Sequence, residues 1–253
     1  MKNYHYIDFH GILMYRKNYR EHDMLVKFFT AEFGPKMFFL RGARKKNYKL
    51  AADILPFSYG KYTGNIKKDL LCYIISPIDV KHYLNISEDI YLNAYATYIM
   101  NLLDTAFEDG YHSLEWFNKL FYSLKLINVG MDPQIVTNIM ELQLLSVFGV
   151  APELRGCVIC GRSDLDLDYS EKMGGLICSN HFNQDLCRLR LDKKTIYYLR
   201  KFSIIELSKI NNIKVNNQTK KELRSFFDNI YENDLGIKLK SKKFLDQMNN
   251  FKI

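Results

Sequence analysis

The chain has 253 residues and carries 36 Lys and Arg against 28 Asp and Glu, a formal net charge of +8. That length accommodates two or three small domains with a sizeable core. No apolar run approaches the roughly 18 residues that span a bilayer, and the opening "MKNYHYIDFH" lacks the apolar segment of a signal peptide. A cytoplasmic protein with no membrane partner is expected, and there thiols stay reduced. The charge is unevenly spread. Residues 1–80 hold 14 Lys and Arg against 7 Asp and Glu, residues 81–192 hold 8 against 15, and residues 193–253 hold 14 against 6. Two basic ends flanking an acidic middle suit separate modules and a polyanionic partner, although Lys-rich surfaces also serve solubility alone.

The first 80 residues read as strands. "GILMYRK" (11–17), "DMLVKFFT" (23–30) and "KMFFLRG" (36–42) are short, apolar and separated by turn material. "ILPFSYGKYTG" (54–64) and "LLCYIISPIDV" (70–80) supply two more. Five strands without room for crossover helices predict a small antiparallel barrel of the OB type, because closure removes exposed edges.

Helical spacing then takes over. Ser87, followed by Glu88 and Asp89, suits a helix start, and helices are expected over 90–107 and 114–130. Asp132 and Pro133 form a cap and first-turn pair opening a third helix that runs to Gly149. Trp116 and the methionines are read as packing residues rather than a binding box. Residues 150–191 break the pattern, and helical periodicity resumes over 195–210 and 220–236. The expected fold class is therefore α+β. Residues 1–82 form an N-terminal OB-type barrel, and 83–253 form a mainly helical domain with a small insert at about 150–191.

Four of the five cysteines fall in that insert, three of them in "CVICGRSDLDLDYSEKMGGLICSNH" (157–181). Cys157 and Cys160 enclose two residues, as do Cys178 and His181. Two ligands three positions apart can meet one ion from a tight turn, and a second such pair closes a tetrahedron of thiolate and imidazole donors. The pattern C-x2-C-x17-C-x2-H is that of a zinc ribbon or knuckle. Gly161 and the pair Gly174 and Gly175 supply the backbone freedom such turns need. A redox CxxC belongs at a helix N-terminus within a βαβ unit, and no parallel sheet is expected here. One structural zinc ion per chain is expected on Cys157, Cys160, Cys178 and His181. Cys187, six residues beyond His181, is the rival fourth ligand. Cys72, on a strand, reads as a small buried hydrophobe.

Several stretches together resemble the RecO family of bacterial recombination mediators. They are "GILMYRKNYREHDMLVKFFTAEFGPKMFFLRGARKK" (11–46), "LPFS" (55–58), "ELQLLSVFGVAPELRGCVICG" (141–161), "GGLICSNH" (174–181) and "LKSKKFL" (239–245). The resemblance spans nearly the whole chain, and the intervening helices match in pattern more than in letters. It implies an N-terminal OB-fold, a helical domain and a zinc site, although many family members close that site with four cysteines and some lack it. It further implies a non-enzymatic, nucleoid-associated protein of DNA repair. Such a protein binds single- and double-stranded DNA, anneals complementary strands, and with RecR loads RecA onto strands covered by single-strand-binding protein.

Within this frame, Arg41, Arg44, Lys45, Lys46 and Lys49 crowd one loop after a barrel strand, where they can reach several phosphates without reading sequence. Tyr48 could stack on a base or simply pack on the barrel, and Lys27 and Lys36 are weaker additions. The acidic, apolar-tipped tail of single-strand-binding protein calls for an apolar groove with a basic rim. Arg200 and Lys201, beside aromatic residues in "KKTIYYLRKF" (193–202), are candidates for that rim; an ordinary amphipathic helix is the alternative. No nucleophile elbow, phosphate loop, HExxH or carboxylate cluster indicates an enzyme. An RNA-binding OB and zinc-knuckle protein is the other reading, and charge alone does not separate it from a DNA mediator.

Overall fold

The computed structural model describes residues 6–66 and 71–251. The expected strand 70–80 therefore begins one residue outside the described span, as does the start of the N-terminal segment. The architecture is α+β, and the chain divides into two compact units: residues 1–130 together with 241–253, and residues 131–240.

The first unit is built on a five-stranded antiparallel sheet of β1 (Ile7–Tyr19), β2 (Asp23–Thr30), β3 (Gly34–Leu40), β4 (Ser58–Asn65) and β5 (Tyr73–His82), in the order β3-β2-β1-β4-β5. β1 is long enough to serve two partners. Its first half pairs with β4 (Ile7 opposite Gly64, Ile12 opposite Tyr59), while its second half pairs with β2 (Gly11 opposite Thr30, Tyr19 opposite Asp23). The two outer strands meet where Cys72 makes a parallel bridge to Phe38, with the Phe39 N–H donating to the Cys72 carbonyl at 2.8 Å. The sheet is not closed by a continuous ladder, and it is compatible with the partly open five-stranded barrel of an OB-fold.

Inward-facing Phe9, Phe28, Phe38 and Tyr62 form the barrel centre, with ring centroids 5.1–6.4 Å apart. Cys72 joins that core, as a small hydrophobe should. β4 starts four residues later than its apolar run implies, because Phe57 takes a left-handed φ of 62° and the chain extends only after it.

Three helices follow in this unit: α1 (Leu84–Glu88), α2 (Ile90–Ala106) and α3 (Leu114–Asn128). The cap of α2 is Asp89, not Ser87. The Asp89 carboxylate accepts from the N–H groups of Tyr91 and Leu92, whereas the Ser87 hydroxyl donates back to the Tyr83 carbonyl. The short α1 occupies the residues on which the serine would have capped. Barrel and helices are joined by stacked Tyr59 and Tyr83 (4.2 Å) and by Phe29 against Phe107. A C-terminal helix, α7 (Lys240–Phe251), returns to this unit, where the Tyr95 hydroxyl donates to Asn249.

The second unit holds α4 (Pro133–Leu144), α5 (Lys193–Ile204) and α6 (Asn217–Asn229), with a two-stranded sheet of β6 (Leu167–Ser170) and β7 (Gly175–Cys178) between α4 and α5. Asp132 caps α4 with Pro133 in its first turn, as the sequence indicates. α4 ends at Leu144, and hydrogen-bonded turns carry the chain to Gly149. Buried Glu141 on α4 accepts from Arg224 on α6 at 2.8 and 3.1 Å, and its carbonyl accepts from the Tyr231 hydroxyl.

Candidate metal centre and nucleic-acid interface

The insert folds so that four donor atoms converge. Leu167 lies opposite Cys178 across the β6–β7 ladder, and the preceding chain runs alongside, with Val158 N–H donating to Leu176 and Glu153 N–H to Gly174. Two glycines allow this. A side chain at Gly175 would come within 2.6 Å of the Glu153 carbonyl, and Gly161 ends the first turn with φ +74° while its N–H donates to Cys157.

The ligand atoms of Cys157, Cys160, Cys178 and His181 all lie within 4.8 Å of one another. His181 Nδ1 is 3.3 Å from the Cys178 sulfur and 3.5 Å from that of Cys157, and the sulfurs of Cys160 and Cys178 are 3.7 Å apart. These four side chains could hold one metal ion. Cys187 is exposed and outside the group; its N–H donates to Asp185. Burial raises the Cys157 thiol, but the N–H groups of Cys160, Ile159 and Cys178 outweigh it and bring it down to about 6; burial pushes Cys178 up. Convergent N–H groups favour a thiolate, the form that binds metal.

The segment after His181 is tied back to the hairpin. Buried Asp168 accepts from the N–H groups of Tyr169, Arg190 and Leu191 and pairs with Arg188 at 3.2 Å. The Arg188 guanidinium also lies 4.1 Å over the Phe182 ring. Sequence spacing does not flag this latch, because its members are neither repeated nor paired by position.

On the barrel, Arg41, Arg44, Lys45, Lys46 and Lys49 are all exposed on a chain of turns after β3. Their loop is fastened: Gly42 N–H donates to Asp23, and the Arg44 guanidinium donates to the carbonyls of Glu21 (3.0 Å) and Arg20 (3.4 Å). Tyr48 is half-buried against the barrel core. Lys27 does not face a polyanion: it is buried and pairs with Asp104 (2.7 Å) and Asp109 (2.6 Å), because its face of β2 is covered by the end of α2 and the turn beyond it. Lys36 is buried as well.

Beside the basic loop lies an aromatic strip that the sequence reading missed. The Tyr19 and Phe39 centroids are 6.0 Å apart, those of Phe39 and Tyr73 are 5.9 Å apart, and Arg20 lies 5.2 Å over Tyr19. Phe39, Tyr73 and Arg41 share a recess of about 300 Å³ with exposed Tyr6 and Ile75. The signal was present as period-2 alternation in "KMFFLRG", where Phe38 points in and Phe39 out.

In the second unit, α5 and the insert flank an apolar groove of about 650 Å³. Leu154, Leu165 and Leu167 line one wall; Ile196, Tyr197 and Ile204 line the other. Arg155, Lys193, Arg200 and Lys201 stand around it. The structure thus brings Arg200 and Lys201 to one apolar groove. Arg200 also clamps the wall, donating to the carbonyls of Leu154 (3.1 Å) and Arg155 (2.9 Å).

The chain matches two family descriptions: "Recombination protein O N terminal" over residues 1–79 and "Recombination protein O C terminal" over residues 87–243. The chain belongs to the RecO family. It is 51% identical to DNA repair protein RecO of Levilactobacillus brevis over 244 residues, covering 96% of this chain and 94% of that protein. Against DNA repair protein RecO of Lactiplantibacillus plantarum the identity is also 51%, covering 96% and 95%. Against that of Ligilactobacillus salivarius it is 49%, covering 97% and 95%. No helix among the described residues is long and apolar enough to cross a membrane.

Proposed function

We propose that this chain is a cytoplasmic, nucleoid-associated mediator of DNA repair and recombination that works by binding rather than catalysis. It would bind single- and double-stranded DNA, anneal complementary strands, and with RecR load RecA onto strands covered by single-strand-binding protein. The carrying observation is the barrel face on which Tyr19, Phe39 and Tyr73 adjoin Arg20 and Arg41 beside the loop 41–49. Aromatic rings offer sequence-tolerant stacking, worth about 1–3 kcal/mol per base, and Arg and Lys supply phosphate contacts that carry no sequence preference. In this reading residues 1–82 are the DNA-binding module and 83–253 the helical module with its insert.

Three thiolates and one imidazole within mutual reach fit zinc in a closed, structural site, with no position left for a substrate. When bound, the ion would cross-link the two turns of the insert. The groove rimmed by Arg200 and Lys201 fits the acidic, apolar-tipped tail of single-strand-binding protein.

The test is annealing of complementary DNA strands coated with single-strand-binding protein. Wild type should accelerate annealing, and a Phe39→Ala, Tyr73→Ala double variant should lose most of that effect. No acceleration on coated or bare DNA, with tight RNA binding instead, would overturn the reading.

A further inference from the structure

We infer that the metal centre sets the shape of the α5 groove, so that metal occupancy and binding of an acidic, apolar-tipped peptide are thermodynamically linked. The inference rests on the groove's reading as a peptide site and adds its regulation.

The connection is short and made of named contacts. The wall facing α5 is the strip of chain between the two ligand pairs together with the residues just before the first pair. Leu165 and Leu167 line the groove and also pack against Cys157, Ile177 and Cys178. Leu167 is the register partner of the ligand Cys178, and the N–H of Ser179, next to that ligand, donates to the carbonyl of groove-lining Asp166 at 2.9 Å. On the other wall, Lys193 reaches across to Asp166 at 2.6 Å, and Arg200 grips the carbonyls of Leu154 and Arg155, two residues before Cys157. Each side of the groove is thus one or two residues from a metal ligand or bonded directly to such a residue.

The ligands sit at the centre of that wall's packing. The core cluster behind it is built on buried Cys157, Ile177 and Cys178, two of which are ligands. Its sheet is two strands of four residues each, braced by the chain at Glu153 and Val158 and by the Asp168 latch, and a hairpin of that size is marginal in water without such bracing. Without an ion, three thiols and an imidazole within 4.8 Å are left with only weak sulfur contacts to draw them together. The ordering of such a site comes largely from the metal. A wall that orders on metal binding presents Leu165 and Leu167 to the groove only when the ion is bound. By reciprocity, a peptide that needs the ordered wall must tighten the metal by the same factor.

The occupant is fixed by the lining. Apolar side chains form both walls, and of the four cations around them Arg155 pairs with Glu153 and Lys193 with Asp166, which leaves Arg200 and Lys201 as the excess positive charge. Two of the cations, Arg200 and Lys201, lie on the same turn of α5, where an acidic stretch can follow them while an apolar tip enters between the leucines and Ile196.

The experiment uses the full chain, metal-replete and chelator-stripped, with methyl-labelled isoleucine and a fluorescein-labelled acidic peptide ending in an apolar tip. Metal removal should shift the Ile196 and Ile204 methyl signals while those of Ile135 and Ile139, in the core of α4, stay in place and report that the unit remains folded. Peptide affinity should fall at least tenfold on stripping, and zinc affinity should rise by the same factor when peptide is saturating. Leu165→Ala, which keeps all four ligands, should retain one zinc per chain yet weaken the peptide several-fold. Unmoved groove methyls, or equal peptide affinity in both states, overturns the linkage. If the replete protein does not bind the peptide but its groove methyls move on stripping, the peptide reading fails and the coupling of metal to groove stands.

Discussion

Cys187 shows what spacing alone left open among the metal ligands. It is six residues from His181 in sequence and a softer donor, but its N–H is committed to Asp185 and its sulfur stays outside the cluster, while His181 reaches two of the three sulfurs. Cys160→Ser and His181→Ala should therefore lower zinc content measured by metal analysis, and Cys187→Ser should leave it at one per chain. Zinc in such small sites is worth on the order of 10 kcal/mol at pH 7, so loss of one ligand should also lower stability visibly. A full His181→Ala with an empty Cys187→Ser would reverse the assignment.

In the basic loop, the residues were legible as a cluster but their roles were not. Arg44 is exposed, yet its guanidinium already serves two carbonyls of the β1–β2 turn, whereas Lys45 and Lys46 are simply exposed. Lys45→Ala with Lys46→Ala should flatten the log–log salt dependence of single-strand binding by about 1.4, at about 0.7 per phosphate contact. Adding Arg44→Ala should also loosen the loop. An unchanged slope in the double variant places the phosphate grip elsewhere.

Elements were most legible where one face is core and the other is water. β2 begins and ends at the residues its apolar run indicates, α3 starts at the expected Leu114, and α4 starts on its expected cap, Asp132. The sequence was silent where two elements cover each other. β1 starts four residues before its apolar run because His10, Phe9 and their neighbours pair with β4. Lys27 looks exposed on a strand, but the end of α2 and the following turn supply Asp104 and Asp109 over it.

The same covering makes Gly34 necessary. Its φ is +66°, and a Cβ there would stand 2.0 Å from the Tyr111 carbonyl, beyond which Gly110 N–H already bonds to Pro35. Gly34→Ala must meet the left-handed penalty of roughly 1–2 kcal/mol and also push back the turn that follows α2. It should lower the urea midpoint and Tm of the protein by more than Asp89→Ala, which removes one cap worth about 1 kcal/mol. Equal effects would show that the turn at Tyr111 gives way freely.

At the scale of the whole chain, the compact units redistribute the charge that the sequence shows in blocks. The first unit, residues 1–130 with 241–253, carries 20 Lys and Arg against 14 Asp and Glu; the second, residues 131–240, carries 16 against 14. The basic C-terminal segment, residues 193–253, is split, because α7 returns to the first unit while α5 and α6 belong to the second. Sequence order could not show that return, since it depends on contacts such as Tyr95 with Asn249 across more than half the chain.

Most of the excess positive charge therefore sits on the unit that also holds the aromatic strip and the loop 41–49, and the metal ligands sit on the other. Counterion release depends on cations that meet phosphates, not on the net charge of a distant insert. Stripping the metal should accordingly leave the affinity for bare single-stranded DNA within about twofold and its salt slope unchanged, while annealing of protein-coated strands, which needs the covering protein to be recognised, should fall. Parallel salt titrations of replete and stripped protein on bare DNA, with annealing measured on coated DNA, separate the two. A loss of bare-strand affinity equal to the loss of annealing would mean that the second unit grips nucleic acid itself.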